Sequence, residues 1–137
     1  MRFEESKFYK EIPSEKVDLP FGSFYLTDTF ILAELKEGIH FDWEKALKAI
    51  KAIKEYYGTD FKVAYITNRI NSYSADPHVW EKLTGDYDFI VASVIVYYNN
   101  MSFLNASLEK HFYKKSMKRC ANLEEAIEWV GKLKEFN

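Results

Sequence analysis

The chain has 137 residues, 47% of them hydrophobic, 18% aromatic and 29% charged, with a formal net charge of −2. That is the length of one domain, able to bury roughly two thirds of the surface its unfolded form exposes, and the composition excludes a disordered chain and a broad basic footprint for nucleic acid. No run of about 18 apolar residues is present to span a bilayer, the opening MRFEESKFYKEIP has no apolar leader core, and the single cysteine, Cys120, forms neither an internal disulfide nor a multi-thiolate metal site. A cytoplasmic protein without membrane insertion is therefore expected.

In chain order, residues 1–21 read as an added strand, with β-structure near Lys7 to Ile12, or as an arm. GSFYLTDTFILAELKEG follows, two apolar runs flanking the turn formers Thr27 and Asp28, which predicts a hairpin. DWEKALKAIKAIKEYYG places Trp43, Leu47, Ile50, Ile53 and Tyr57 on one helical face, with Asp42 as its cap and Gly58 at its end. FKVAYIT is a strand, and DPHVWEKL a short helix with Asp76 as N-cap and Pro77 at its first position. DFIVASVIVYY is apolar on both faces, as the middle of a covered parallel sheet requires. MSFLNASLEKHF spaces Met101, Leu104, Leu108 and Phe112 as a core-facing helical stripe. KKSMKRC is an edge strand, and NLEEAIEWVGKLKEF a last helix capped by Asn122, with Glu125 three residues on and Leu123, Ile127, Val130 and Leu133 as its apolar stripe. Alternating strands and helices predict a single α/β domain over residues 22–137, mostly parallel with an antiparallel N-terminal element.

That order, together with FDWEKALKAI, FIVASVIVYY and the ending KKSMKRCANLEEAIEWV, resembles the SpoIIAA-like proteins of the STAS superfamily, relatives of the anti-sigma-factor antagonists, over roughly residues 22 to 133. The most telling stretch is ANLEEAIEWV, a capped helix carrying a tryptophan after a short strand. The resemblance implies a sheet of five or slightly more strands flanked by about four helices, a regulatory or binding role, no enzymatic activity and no cofactor or metal. It also implies a functional loop at the start of the second helix, here Ser72 to Asp76, where antagonists carry a phosphorylatable Ser or Thr. Ser72 and Ser74 are the candidates, although the family's Asp-Ser-(Ser/Thr)-Gly stretch is absent from SYSADP.

The residues themselves give that loop a physical case, since α/β sheets bind ligands beyond the carboxyl ends of their strands and helix N-termini offer free N–H groups. Asn68, Arg69, Asn71, Ser72, Ser74 and Asp76, with Tyr98 and Asn99 after the next strand, form the candidate binding set. Ordinary capping and turn chemistry is the competing account of the same residue types. His40, Asp42 and Glu44 do not make a metal site, because a helix starting at Asp42 breaks their alternation. The basic run KHFYKKSMKR is explained by edge protection and a helix C-terminus, without nucleic acid. Cys120, His40, His78 and His111 show no nucleophile elbow, so an enzyme is not expected.

Two functions follow as expectations. The first is a regulatory module that binds a protein partner through residues 68 to 76 and the adjoining helix at 77 to 84. The second is a carrier of a small apolar ligand, since SpoIIAA-like sheets resemble the lipid-binding CRAL-TRIO fold and Tyr97, Tyr98, Phe112 and Tyr113 are candidate lining rings. Phe103 lies about 100° from Leu104 and about 140° from Leu108 around its helix, off the predicted core stripe. It is the candidate anchor of a homodimer.

Overall fold

The computed structural model describes residues 1–137 apart from the side chain of Asp86. A six-stranded sheet runs β1 (Glu15–Leu19), β2 (Gly22–Leu26), β3 (Phe30–Leu35), β5 (Val63–Asn68), β7 (Ile90–Val96), β8 (Ser116–Cys120). The first three strands are antiparallel neighbours, and β3, β5, β7 and β8 are parallel. A separate two-stranded parallel pair joins β4 (His40–Phe41) to β6 (Ser74–Ala75).

The predicted hairpin forms as β2 and β3. Thr27 closes its turn, its hydroxyl donating to Phe30 O and accepting from Phe30 N. Where β1 turns into β2, a side chain at Gly22 would sit 2.8 Å from Glu34 O, a separation only glycine tolerates. The long helix α2 (Trp43–Tyr57) starts where Asp42 accepts from Lys45 N and stops at Gly58, whose φ of 87° suits glycine. Its buried face is Ala46, Ala49, Ile50 and Ile53, while Leu47, expected on that face, is exposed. Helix α3 (His78–Asp86) begins one residue after Pro77, and Asp76 Oδ1 accepts from His78 N at 3.0 Å.

The expected strand at Lys7 to Ile12 is instead α1 (Lys7–Glu11). Buried Phe3 anchors the segment before it, and one helical turn stacks Phe8 under Ile12 toward the same core. Pro13 then forces Ile12 into extended backbone, which ends the turn. Residues 1–21 are therefore part of the domain, through Phe3 in the core and β1 in the sheet.

Helices α2, α3 and α4 (Asn100–Lys110) cover the sheet face that carries Tyr65 and Ile95, while α1 and α5 (Leu123–Gly131) cover the face that carries Ile66, Val94 and Val96. Strand β7 is buried on both sides, as its apolar run predicts. The α5 cap is Asn122 Oδ1, which accepts from Glu125 N at 2.8 Å.

Helix α4 overturns the sequence expectation. Met101, Leu104 and Leu108, predicted to face the core, are 67, 60 and 54% exposed, and Phe112 is half-buried. The buried residues are Ala106 and Glu109. At about 100° per residue, the predicted stripe lies about 140 to 160° around the helix from Ala106, on the opposite side.

Candidate functional site

The reason for that rotation is a buried ion pair. Arg69, just past β5, and Glu109 on α4 are 7 and 3% exposed and meet in a two-pronged contact, Nη1 to Oε2 at 2.5 Å and Nη2 to Oε1 at 2.8 Å. Trp80 Nε1 on α3 donates to Glu109 Oε1 at 2.7 Å, and the Arg69 guanidinium lies 5.5 Å from the Tyr73 ring centroid. Burial alone would disfavour the guanidinium charge. Tyr73 and the Glu109 carboxylate more than offset it, and the Arg69 pKa rises above its ordinary value. Burial likewise raises the Tyr65 and Tyr73 hydroxyls. A helix rolled to bury its leucines would carry Glu109 away and strand a buried cation, which costs several kcal/mol.

Beside the pair lies a cavity of about 20 Å³, walled by Tyr65, Thr67, Tyr73, Trp80 and Leu83. Arg69 Nε and Thr67 Oγ1 line it, buried and without a protein partner among the described residues. It has room for one water.

Asn68 and Arg69 are consecutive at the end of a strand, so they point to opposite faces. Asn68 joins a different network: its Nδ2 donates to Glu34 Oε2 at 2.7 Å and to Met1 O at 2.8 Å, and its Oδ1 accepts from Tyr98 OH at 2.5 Å. Phe3 N also donates to Glu34 Oε2. Burial pushes the Tyr98 hydroxyl up to about 12. The N-terminal residues thus cover the carboxyl end of β5 on that face.

The rest of the predicted set is accounted for by turns and caps. Asn71 Nδ2 donates to Leu35 O, Ser72 N to Glu37 Oε2, and Asn99 caps α4 by accepting from Ser102 N. Ser72 and Ser74 are exposed, and Ser74 Oγ lies 2.7 Å from His40 Nδ1. The loop is tied down by backbone bonds from Gly38 N to Ser72 O, Ser74 N to Ile39 O and Asp76 N to Phe41 O. The eight predicted binding residues therefore divide among two networks and a set of local turns and do not converge on one pocket.

The four candidate lining rings are also dispersed. Tyr113 packs on Trp80, Phe112 on His78, Tyr97 on Phe103, and Tyr98 on the Asn68 network. Phe103 is 36% exposed, sandwiched between Tyr97 and the Arg119 guanidinium, each 5.0 Å from its ring centroid. It borders the exposed row instead of standing alone beyond a buried one.

Sequence reading missed Glu109, Glu34 and Trp80. No local signal marks Glu109, because its partner lies 40 positions away. What the sequence does display is a run from Phe89 to Leu108 without one acidic or basic residue. Its first part is the buried strand β7, and its second is the outward face of α4, where Met101, Leu104 and Leu108 form a row bordered by Phe103 and followed from the turn by Tyr98.

No protein-family model and no curated protein sequence matches the chain. Among solved structures it is similar to the crystal structure of an uncharacterised DUF3478-family protein with a SpoIIAA-like fold from Shewanella loihica. The two share 9% identity over 87% of this chain and 93% of that one, with a TM-score of 0.50. The likeness shows the fold: a SpoIIAA-like α/β domain, here with six strands and five helices. No helix among the described residues is long and apolar enough to cross a membrane.

Proposed function

We propose that this SpoIIAA-like domain is a non-enzymatic, cytoplasmic regulatory module that engages a protein partner through the outward face of α4 and the turn at 97–99. The observation that carries the reading is the exposure of Met101, Leu104 and Leu108 in one row. Single exposed leucines are ordinary, whereas a contiguous apolar row beside aromatic rings marks interaction surfaces. Met, Phe, Tyr and a neighbouring Arg are the residue types that interfaces enrich.

Two features support the absence of catalysis. Burial pushes the Cys120 thiol up to about 11, away from the thiolate a nucleophile needs. The exposed Ser74–His40 pair has no carboxylate hydrogen-bonded to the imidazole among the described residues, so nothing orients it as a triad. Ser72 and Ser74 remain the proposed sites of regulatory modification, on the strength of their exposure.

The test is photocrosslinking in cells with a photoreactive phenylalanine at Met101 and, as a control, at Lys51 on α2. A discrete crosslinked product from position 101 alone is expected. The same products from both positions would remove α4 from the account.

A further inference from the structure

Resting on that reading of α4, we infer that the partner is a second copy of this chain, paired about a two-fold axis that passes beside Leu104. The row is spaced by three and then four residues, the seam of a helix-to-helix contact. Turned antiparallel on its own image, Leu104 meets Leu104 of the second copy, and Met101 comes over the position of Leu108. The contact is therefore apolar against apolar along its length.

Charge selects the occupant. A surface that meets its own image brings every charge against a like charge, which costs several kinds of partner but costs a homodimer most. The exposed face of α4 escapes this, because no acidic or basic residue occurs from Phe89 to Leu108, and its rim is Asn100, Ser102 and Asn105. The other large helices differ. Exposed on α2 are Glu44, Lys48, Lys51, Lys54 and Glu55, and on α5 Glu124, Glu125 and Glu128. A partner chosen by charge complementarity has nothing to read on α4, and a lipid surface would find Lys110 as the helix's one basic residue.

Size sets the strength. An eleven-residue helix is about 16 Å long, so its face falls short of the roughly 800 Å² per partner of a standard stable interface. The dimer is consequently weak and concentration-dependent. Phe103, held between Tyr97 and Arg119, contributes from the rim and is not its central anchor.

Sedimentation equilibrium tests this up to about 1 mM with wild type, Leu104→Glu, Leu104→Lys and an equimolar mixture of the two, with Leu47→Glu on α2 as control. Leu104 is exposed, so both variants fold, which circular dichroism checks. Wild type and Leu47→Glu should dimerise alike. Each Leu104 variant should bind itself at least roughly thirtyfold more weakly, and the mixture should recover association as Glu meets Lys across the axis. A wild type that stays monomeric overturns the homodimer. So does a dimer indifferent to Leu104→Glu, and a mixture no tighter than its components overturns the two-fold at Leu104. A monomeric wild type that still crosslinks another protein from position 101 leaves the interaction reading standing while this inference falls.

Discussion

Replacing Glu109 with alanine leaves the Arg69 guanidinium buried without a counter-charge and takes the acceptor from Trp80 Nε1. Glu109 receives three hydrogen bonds, at 2.5, 2.8 and 2.7 Å, and both charged side chains are under one-tenth exposed. Breaking a buried pair from one side costs about 3–5 kcal/mol, and the orphaned indole N–H adds about 1 kcal/mol. The adjoining cavity of about 20 Å³ admits water to the exposed cation and returns part of this. The net expectation is a loss of about 4 kcal/mol, a large share of the roughly 5–15 kcal/mol that stabilises a domain. In a chain of this length it lowers the melting temperature by about 10 to 15 °C. Urea titration followed by tryptophan fluorescence and by circular dichroism measures it. The apolar replacement Arg69→Met with Glu109→Leu should stay within about 1 kcal/mol of wild type, since it removes both charges together. A Glu109→Ala protein within about 1 kcal/mol of wild type at unchanged denaturant slope would refute the claim that the ion pair fixes α4.

Two further outcomes follow from the core. Phe3 is fully buried against Tyr9, Tyr25 and Phe30, so Phe3→Ala should cost about 3–5 kcal/mol in the same titration; a loss below about 1 kcal/mol would make the N-terminal segment a detachable arm. Cys120 has a folded pKa of about 11 against an ordinary 9.0. The folded state therefore holds its proton longer, and this contribution is intact below pH 9 and lost as pH rises toward 11. That loss is worth roughly 2–3 kcal/mol, and Cys120→Ala should remove it. Stability curves of the two proteins that run parallel from pH 8 to 11 would contradict it.

The strands and the capped helices were legible because their signals are local. Thr27 in the hairpin turn, Asp42, Gly58 and Asn122 at helix ends, and the double-sided apolar run of β7 each act within a few residues. Helix α4 was not legible, for a physical reason. Hydrophobic periodicity gives a stripe but not the direction it faces, and here one distant carboxylate–guanidinium pair decides that direction against three large apolar side chains. The candidate loop was legible as residue types and not as a site, because adjacent strand-end residues such as Asn68 and Arg69 serve opposite faces of the sheet. The single turn at Lys7 to Glu11 is too short to carry a period, and its conformation follows from where Phe3 must be buried.

In the main sheet, spatial order and chain order coincide: β1, β2, β3, β5, β7 and β8 lie side by side in the sequence in which they occur. No strand has to be inserted between two that already pair, so the sheet can grow by serial addition at one advancing edge, each step closing a loop no longer than one crossover. During that growth the advancing edge is for a time IVASVIV, the most apolar segment of the chain and the one most prone to pair with another molecule. The strand that finally covers it, SMKRC, carries Lys118 and Arg119. The interval before β8 docks is thus the chain's most exposed moment, and a charge-removing change at those two residues would extend that vulnerability from the nascent chain to the finished one.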